Sequence, residues 1–349
     1  MAKTRARWQS GTTIKDVATH AGVSPMTVSR VLNNEPVVKP ATRSRVMEAV
    51  KELNYRPNFS ARSLAKARSF FIGLLYDNPS AGYVSEFLDG AVRRCRADRY
   101  HMVLENCSEA DEEGGDLITE TLSQANVDGV IILPPVSNNP SVIQAVENLG
   151  LPYVRIAPDG EENDAPAVGI NDYEAAYQMT RHLIDLGHSQ IGFIKGHPNQ
   201  GSSHERYRGF ADAMAAAGLT VDRASVAQGY FDFRSGIEAT EALLSGDNRP
   251  TAIFASNDDM AAAAITMARK FDLEVPEDLS VVGFDDTPIA GTTWPALTTV
   301  RQPIAEMAEA AVGVLIRDLK GDSDAPVQKR WLLDCTIVER DSSAKPKPS

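Results

Sequence analysis

Polar side chains follow several short apolar runs of the sequence, at positions where a small molecule can bind. Asp77 and Asn257 each come two residues after such a run, and Asp285 comes directly after another. If the runs are parallel strands, these side chains lie at their carboxyl ends, where open α/β sheets bind ligands. Amide and carboxylate groups can bond adjacent hydroxyls while an aromatic ring covers an apolar ring face. The pattern therefore predicts a site for a polyhydroxylated ligand.

Sequence motifs of catalysis and metal binding are missing. The chain has no G-x-S-x-G elbow, no Walker loop, no H-E-x-x-H pair and no G-x-G-x-x-G after a predicted strand. Its six histidines and three cysteines do not fall at metal-ligand spacings, so we expect no metal, no cofactor and no enzyme. An intracellular enzyme with an accessory DNA-binding domain is the alternative, and turnover of a sugar would reveal it.

A second set of side chains, near the amino terminus, is typical of a helix-turn-helix. Gly22 separates two short helical patterns, and Ser24 can cap the second, which begins at Pro25. On the outer face of that helix, Arg30 can bond guanine in a bidentate manner and Met26 can contact a thymine methyl. A basic three-helix bundle that binds protein has the same spacing and stays open here. Four side chains can reach phosphates: Ser24, Thr27, Asn33 and Lys39.

The charges are divided between two parts of the chain. Residues 1–68 hold 13 Lys and Arg against 4 Asp and Glu, a formal charge of +9. Residues 69–349 hold 22 against 43 and carry −21, so the whole chain carries −12. No apolar run approaches the ~20 residues of a membrane span, and the first residues lack the apolar segment of a secretory signal. We therefore expect a cytoplasmic, nucleoid-associated protein whose basic head binds nucleic acid.

From residue 69 onward, short apolar runs alternate with helical patterns. Continuous apolar runs are typical of buried parallel strands, and their alternation with helices indicates a doubly wound α/β fold. Because about 280 residues exceed one small sheet, we expect two similar lobes. The runs are 70–75, 102–104, 129–133, 153–156, 191–194, 252–255 and 280–284.

The order of these motifs resembles the lactose/galactose repressor (LacI/GalR) family over residues 12–341. The resemblance implies an all-α helix-turn-helix head on a two-lobed α/β body like the type I periplasmic binding proteins. It also implies a ligand-responsive transcriptional repressor that binds double-stranded, palindromic operator DNA as a homodimer. The motifs are TIKDVA (13–18), AGVS (21–24), TVSRVLN (27–33), LNYRPN (53–58), FLDG (87–90), LIDLGH (183–188), SNDDM (256–260), VVGFDD (281–286) and LTTVRQ (297–302).

The resemblance assigns the contacts to DNA. Residues 59–65 predict a helix of about two turns, too short to be stable alone. In this family that helix becomes ordered in the minor groove, where a leucine matching Leu64 wedges between base pairs and Ala61 would pack against its dimer mate. Because Pro25 reads bases poorly, Met26 and Arg30 must do more. The DNA-binding set is Thr13, Ser24, Pro25, Met26, Thr27, Ser29, Arg30, Asn33, Lys39, Tyr55, Asn58, Ala61 and Leu64.

The resemblance also implies an effector pocket between the lobes. Its residues would be Asp77, Tyr83, Arg206, Phe231, Asn257, Asp285 and Gln302. Four of them have structural alternatives: a strand-end turn for Asn257, a cap for Asp285, core packing for Phe231 and a surface ion pair for Arg206. We favour a sugar or glycoside inducer that releases DNA. A purine-type corepressor, a protein coeffector, or a free cytoplasmic sugar-binding module are the alternatives.

One residue directly after a predicted strand departs from the family pattern, and one residue inside that strand is unusual. Ala157 stands where some sugar-responsive members carry an aspartate, and it cannot bind a hydroxyl. We therefore expect a site that differs from the lactose type. Arg155 lies inside the apolar run, and a buried guanidinium needs a partner, either an acid or the ligand.

The expected domain boundaries follow from the motifs. They are a DNA-binding domain at 1–57, a hinge helix and linker at 58–68, an N-terminal subdomain at 69–172 plus 303–331, a C-terminal subdomain at 173–302 plus 332–341, and a disordered tail at 342–349.

Overall fold

The computed structural model forms two units, Met1–Ser69 and Phe70–Ser349, which are called the head and the body below. It describes residues 12–32, 35–55, 68–107, 114–160, 165–246, 248–321 and 329–347. None of the described helices is both long and apolar enough to cross a membrane.

The described part of the head contains three short helices around a small apolar core. They are α1 (Ile14–His20), α2 (Pro25–Leu32) and α3 (Pro40–Glu52). Val17, Val28 and Val46, one from each helix, are fully buried together. Thr13 caps α1, because its hydroxyl accepts a bond from the Asp16 backbone N–H while the Asp16 carboxylate accepts one from the Thr13 N–H. The predicted helix-turn-helix geometry is confirmed.

The body alternates strands and helices. Its strands are β1 (Phe71–Tyr76), β2 (His101–Asn106), β3 (Gly129–Ile132), β4 (Tyr153–Ile156), β5 (Ala167–Ile170), β6 (Ile191–Lys195), β7 (Val226–Gln228), β8 (Ala252–Ala255), β9 (Ser280–Asp285), β10 (Thr298–Arg301), β11 (Arg330–Leu333) and β12 (Thr336–Val338). Its helices are α4 (Ala81–Asp98), α5 (Gly114–Ala125), α6 (Pro140–Asn148), α7 (Asp172–Asp185), α8 (Gly201–Ala216), α9 (Phe233–Leu244), α10 (Asp258–Lys270), α11 (Pro288–Thr292) and α12 (Ile304–Lys320). Short 3-10 turns cover Val136–Asn138 and Arg223–Ser225.

The described strands build two sheets, one in each lobe. The N-terminal lobe has the order β11-β5-β4-β3-β1-β2 and is parallel throughout. The C-terminal lobe has the order β12-β10-β9-β8-β6-β7, in which β12 runs antiparallel to β10. All seven apolar runs form strands, and the predicted two-lobed α/β fold is confirmed. β2 differs from the expected buried strand, because it is an edge strand whose Leu104 is exposed.

The described chain passes between the lobes at three points. The first precedes α7, the second lies at Gln302 before α12, and the third lies between β11 and β12. The predicted boundary at residues 331/332 is wrong by two residues, because β11 stays paired with β5 through Leu333.

The carboxyl-terminal segment packs on the C-terminal lobe. The Ser342 hydroxyl donates to the Val281 carbonyl at 2.6 Å, and the Val281 N–H donates to the Ser342 carbonyl at 2.8 Å. Farther along, the imidazole of buried His188 is 2.9 Å from the Ala344 carbonyl. The prediction of a disordered tail at 342–349 is therefore wrong for residues 342–347, because these polar contacts fix the segment.

Candidate functional site

A cavity lies between the lobes of the body, at the carboxyl ends of strands from both sheets. Six of the seven predicted effector residues line it, all except Asp77. Asn78 of the same loop lines it instead, because its amide donates to the Pro134 carbonyl and its Oδ1 accepts from the Ser80 N–H. The lining is Asn78, Ser80, Tyr83, Pro134, Ala157, Asp172, Gln200, Ser202, Arg206, Phe231, Asn257, Asp285 and Gln302.

Arg206 of α8 is the centre of the polar network in this cavity. Its Nε donates to Asp172 at 2.8 Å, and its Nη1 donates to the Ser256 carbonyl. The guanidinium carbon lies 3.6 Å from the centre of the Phe284 ring, within range of a cation–π interaction. Since Arg206 is 5% exposed, the surface ion pair considered for it is wrong.

Asp285 ends β9 and turns its carboxylate toward Arg206. Its Oδ1 is 3.7 Å from Arg206 Nη1 and accepts a short hydrogen bond from the Gln302 amide. Burial raises the pKa of Asp285 to about 7, although the Arg206 charge and the bond from Gln302 oppose the rise. Its φ of 117° is strained for a residue with a side chain, as is common where a binding group is held in place.

Asp258 lies behind Asp285 and fixes the surrounding backbone. Its carboxylate accepts bonds from the Thr299 hydroxyl and from the backbone N–H of Thr287. Burial and the charge of Asp285 raise its pKa, against these hydrogen bonds. The site therefore places several buried carboxylates around one buried guanidinium.

Asn257 shapes the cavity mainly by holding other groups. Its Oδ1 accepts from the Met260 N–H and caps α10, as the strand-end alternative anticipated. Its Nδ2 donates to the Phe231 carbonyl at 2.9 Å. Phe231 has a φ of 64°, and its ring packs so closely over Gly196 that a Cβ there would lie 1.9 Å from Cζ. The bond from Asn257 therefore helps to hold Phe231, whose ring both lines the cavity and packs in the hydrophobic core.

The N-terminal lobe contributes the first turn of α4. The Ser80 hydroxyl caps this helix by accepting from the Tyr83 N–H and donates to Asp259 of the other lobe at 2.6 Å. Burial raises the pKa of the Tyr83 phenol, which therefore stays neutral. Burial also raises the pKa of Asp259, against the bond from Ser80. This contact joins the lobes beside the cavity.

Arg155 makes its hydrogen bonds to neutral oxygens, and the expected acid acts on it through the charge of Asp159. Its Nε donates to the Ser137 carbonyl at 2.7 Å, and its Nη2 donates to Asn138 Oδ1 at 3.1 Å. Burial lowers its pKa. The 3-10 turn after β3 supplies the carbonyl and amide oxygens that Arg155 binds, and Arg155 is not among the residues that line the cavity. Ala157 does line the cavity and offers it no polar group.

Sequence reasoning missed several lining residues, including Asp172, Gln200 and Ser202. Asp172 follows a strand that was not predicted, since its four residues are too few for a clear pattern. Gln200 and Ser202 stand within six residues of Arg206, and this nearness was the available signal.

The head presents most of its described predicted DNA contacts to solvent. Met26 is 63% exposed. Arg30 is also exposed, and its Nε lies 3.7 Å from Glu35 Oε2. The Ser24 hydroxyl accepts from the Thr27 N–H, so it caps α2 as predicted. Thr13, Pro25 and Lys39 are exposed, whereas Thr27, Ser29 and Tyr55 are half-buried. Asn33, Asn58, Ala61 and Leu64 lie outside the described residues.

Within the described ranges, no group of three or more His, Cys, Asp or Glu side chains is arranged to hold a metal ion. The cavity offers hydrogen-bond acceptors at Asp172 and Asp285, donors at Arg206 and Gln302, and aromatic side chains at Tyr83 and Phe231. Donors and acceptors of this kind can bond the hydroxyls of a ring-shaped ligand, and an aromatic side chain can cover its apolar face.

Comparison with known proteins gives two family matches. Residues 13–58 match the model of bacterial regulatory proteins, lacI family, and residues 180–343 match a periplasmic binding protein-like domain. The ribose operon repressor of Escherichia coli (strain K12) is 36% identical over 95% of this chain and 99% of its own. Among solved structures, a transcriptional regulator CelR–cellobiose complex has a TM-score of 0.73 at 30% identity over 95% of this chain and 100% of its own. A lac repressor dimer bound to operator and the anti-inducer ONPF has a TM-score of 0.76 at 27% identity over 96% and 100%.

Proposed function

Because this chain belongs to the lacI family of bacterial regulatory proteins, we propose that it is a transcriptional repressor whose DNA affinity responds to a small sugar. The head binds a palindromic operator, and the cavity between the lobes binds the effector without converting it. The chain works on chromosomal DNA in the cytoplasm. The observation that carries the effector class is the lining of the cavity, where acceptors, donors and two aromatic rings converge.

Electrostatics favours a neutral sugar over a sugar phosphate. Arg206 is the arginine of the cavity lining, and Asp172 and Asp285 already share its charge. Asp258 and Asp259 add two further acidic groups nearby. A phosphate would bring more negative charge into this acidic surrounding, whereas hydroxyls can donate to the carboxylates.

The operator is read by the second helix of the head. Met26 and Arg30 are exposed on α2, and the head has a formal charge of +9. Base contacts from α2 supply specificity, while Lys39 and other polar groups position the head on phosphates. A palindromic operator calls for two copies of the chain related by a two-fold axis. Trp294 of the body is 84% exposed and is suited to lie in that dimer contact.

The direct test joins a thermal-shift screen to a DNA-binding assay. The full chain is screened with D-ribose, D-glucose, D-galactose, cellobiose, glucose 6-phosphate and hypoxanthine, and hits are added to operator duplexes obtained by selection. We expect a neutral sugar to raise the melting temperature by roughly 5 °C at 100-fold excess over Kd and to release DNA.

Two variants distinguish a loss of sugar binding in the cavity from a general effect of a substitution on the protein. Asp285→Ala should abolish the sugar response and keep DNA binding, whereas Asp185→Ala, on an exposed face of α7, should leave both unchanged. If hypoxanthine tightens DNA binding, the effector is a purine corepressor and the proposal of a sugar inducer is wrong. Failure of the wild-type chain to bind any selected duplex at moderate salt would refute the proposed function.

A further inference from the structure

Glu35 places a carboxylate beside the arginine that is predicted to read guanine. Its Oε2 lies 3.7 Å from the Nε of Arg30, and the side chains of Glu35 and Arg30 are 45% and 48% exposed. An ion pair with this exposure adds little stability, because solvent screens the charges and both side chains lose freedom. The stability of the head therefore does not account for the pair.

The position of Glu35 after α2 is unfavourable for the helix itself. The carboxyl end of a helix carries a partial negative charge, which favours cations and disfavours anions nearby. Glu35 follows Leu32, the last residue of α2, by three positions. Among the described residues, Arg30 is the cation within ion-pair distance of the Glu35 carboxylate. The carboxylate therefore acts on Arg30 rather than on the helix.

Hydrogen bonds of the main chain hold Glu35 in this place. Its N–H donates to the Arg30 carbonyl at 3.0 Å, a bond between residues five apart that is common at helix carboxyl ends. Arg43 of α3 donates from Nη2 to the Glu35 carbonyl at 2.6 Å and from Nη1 to the Val31 carbonyl at 3.1 Å. Because the backbone of Glu35 is fixed from two sides, its carboxylate stays close to Arg30.

The side of Arg30 that faces Glu35 decides what the guanidinium can still bind. A guanidinium presents one edge formed by Nε and one Nη atom, and a second edge formed by both Nη atoms. Glu35 lies at the Nε edge, so the edge with two Nη atoms can bond O6 and N7 of guanine in a bidentate manner. A DNA phosphate competes for the same guanidinium, and the negative charge of Glu35 repels it.

The other acidic side chains of the head have different surroundings. Asp16 belongs to the cap of α1, and Glu52 Oε2 lies 2.7 Å from His20 Nε2. Glu48 is exposed on α3. A Glu48→Gln variant therefore removes one negative charge from the head and leaves the pair of Glu35 and Arg30 in place.

We propose that Glu35 is a specificity-determining residue, which makes Arg30 a reader of guanine rather than a general phosphate contact. The proposal rests on the operator binding proposed above and adds the residue that directs one of its base contacts. On the operator, the pair keeps the Nη edge of Arg30 against guanine. On other sequences Arg30 finds no such guanine, and Glu35 opposes its shift to a phosphate.

The test compares Glu35→Gln with the wild-type full chain and with Glu48→Gln, which changes the charge of the head equally. Binding-site selection with Arg30→Ala first identifies the guanine whose preference depends on Arg30. Affinities are then measured by fluorescence anisotropy, at one salt concentration, for the selected duplex, for the same duplex with that guanine replaced by adenine, and for a random duplex. We expect Glu35→Gln to lower the preference for guanine about threefold and to tighten binding to the random duplex about threefold more than Glu48→Gln does.

A double substitution tests whether Glu35 acts through Arg30. In an Arg30→Ala background, Glu35→Gln should no longer change the base preference. The melting temperature of Glu35→Gln should stay within about 2 °C of the wild type, because the pair is exposed.

Three results would overturn the inference while the proposed function stands. They are an Arg30→Ala variant that loses no preference for guanine, an unchanged preference in Glu35→Gln at any melting temperature, and the same change of preference with and without Arg30. A wild-type chain that binds no selected duplex would refute the proposed function, and the inference with it.

Discussion

Replacement of Arg206 by methionine tests the electrostatic account of the cavity most directly. The wild-type guanidinium is buried and pairs with Asp172 at 2.8 Å and Asp285 at 3.7 Å. Methionine keeps apolar contact with the Phe284 ring but removes the charge. The variant therefore leaves two buried carboxylates without their cation.

The expected loss of stability follows from this burial. Removal of one partner of a buried ion pair costs about 3–5 kcal/mol, because the remaining charge stays in a poorly solvated place. For a body of this size, the loss corresponds to a fall in melting temperature of roughly 6–15 °C at pH 8. Arg208→Met is the matched control on α8. Arg208 is largely exposed in its ion pair with Glu205, so its loss should cost less than about 1 kcal/mol.

The dependence on pH gives the prediction its sharpest form. The pKa of Asp285 is raised in the folded chain to about 7, so this group stabilises the fold least when pH is above that value. Arg206 holds this pKa down, and its removal raises it further. At pH 5 the Asp285 carboxyl is protonated in both folded proteins. At pH 8 the wild-type carboxylate is charged beside the Arg206 cation. The variant at pH 8 must either bury that negative charge without a cation or hold the proton at a pH where it would otherwise be released. We expect the variant's loss to be about 1–2 kcal/mol smaller at pH 5 than at pH 8.

The assay is urea denaturation of the full chain at the two pH values, followed by circular dichroism. An equal loss at pH 5 and pH 8, within about 0.5 kcal/mol, would refute the claim that Arg206 stabilises Asp285. A loss for Arg208→Met as large as that for Arg206→Met would refute the claim that burial sets the magnitude.

Three further predictions concern the tail, the head and the dimer. Burial lowers the pKa of His188, so its contribution to stability is full above about pH 6.5 and is lost as pH falls; His188→Gln should flatten this part of the melting profile, and an unchanged slope would contradict it. Met26→Ala should change the base preference found by binding-site selection, whereas Lys39→Ala should weaken all sequences alike and reduce the salt dependence. An unchanged preference for Met26→Ala would defeat that assignment. Trp294→Ser should weaken the dimer at least tenfold in sedimentation equilibrium, and an unaltered dimer would place the contact elsewhere.

The sequence predicted the strands whose apolar runs are continuous and buried. Asn257 and Asp285 could be placed in the site because polar residues after two neighbouring strands, β8 and β9, must meet at one edge of the sheet. Short or partly polar strands such as β5, β7 and β12 gave no comparable signal.

What could not be predicted depends on contacts between distant segments. Gln200 is buried where α8 meets the turn carrying Asp159, and nothing near it in sequence indicates that approach. The tail is polar and rich in Lys and Pro, and it is held by residues such as His188, more than 150 positions away. Arg155 donates to oxygens of Ser137 and Asn138, and this 3-10 turn comes close to Arg155 only in the folded chain.

The arrangement around Arg206 suggests how binding in the cavity can act on the whole body. Each described crossover between the lobes brings one residue to this cluster. Asp172 pairs with Arg206 after the first crossover, and Gln302 bonds Asp285 at the second. At the third lies Cys335, where burial, then the charge of Asp172, raises the pKa to about 12. A ligand that takes up bonds of Arg206 or Asp285 would therefore change hydrogen bonds at the first two connections and the charges that act on Cys335 at the third. Its power to shift the two lobes is limited by the difference between its affinities for their two arrangements, so a sugar that binds both equally would fill the cavity and leave DNA binding unchanged.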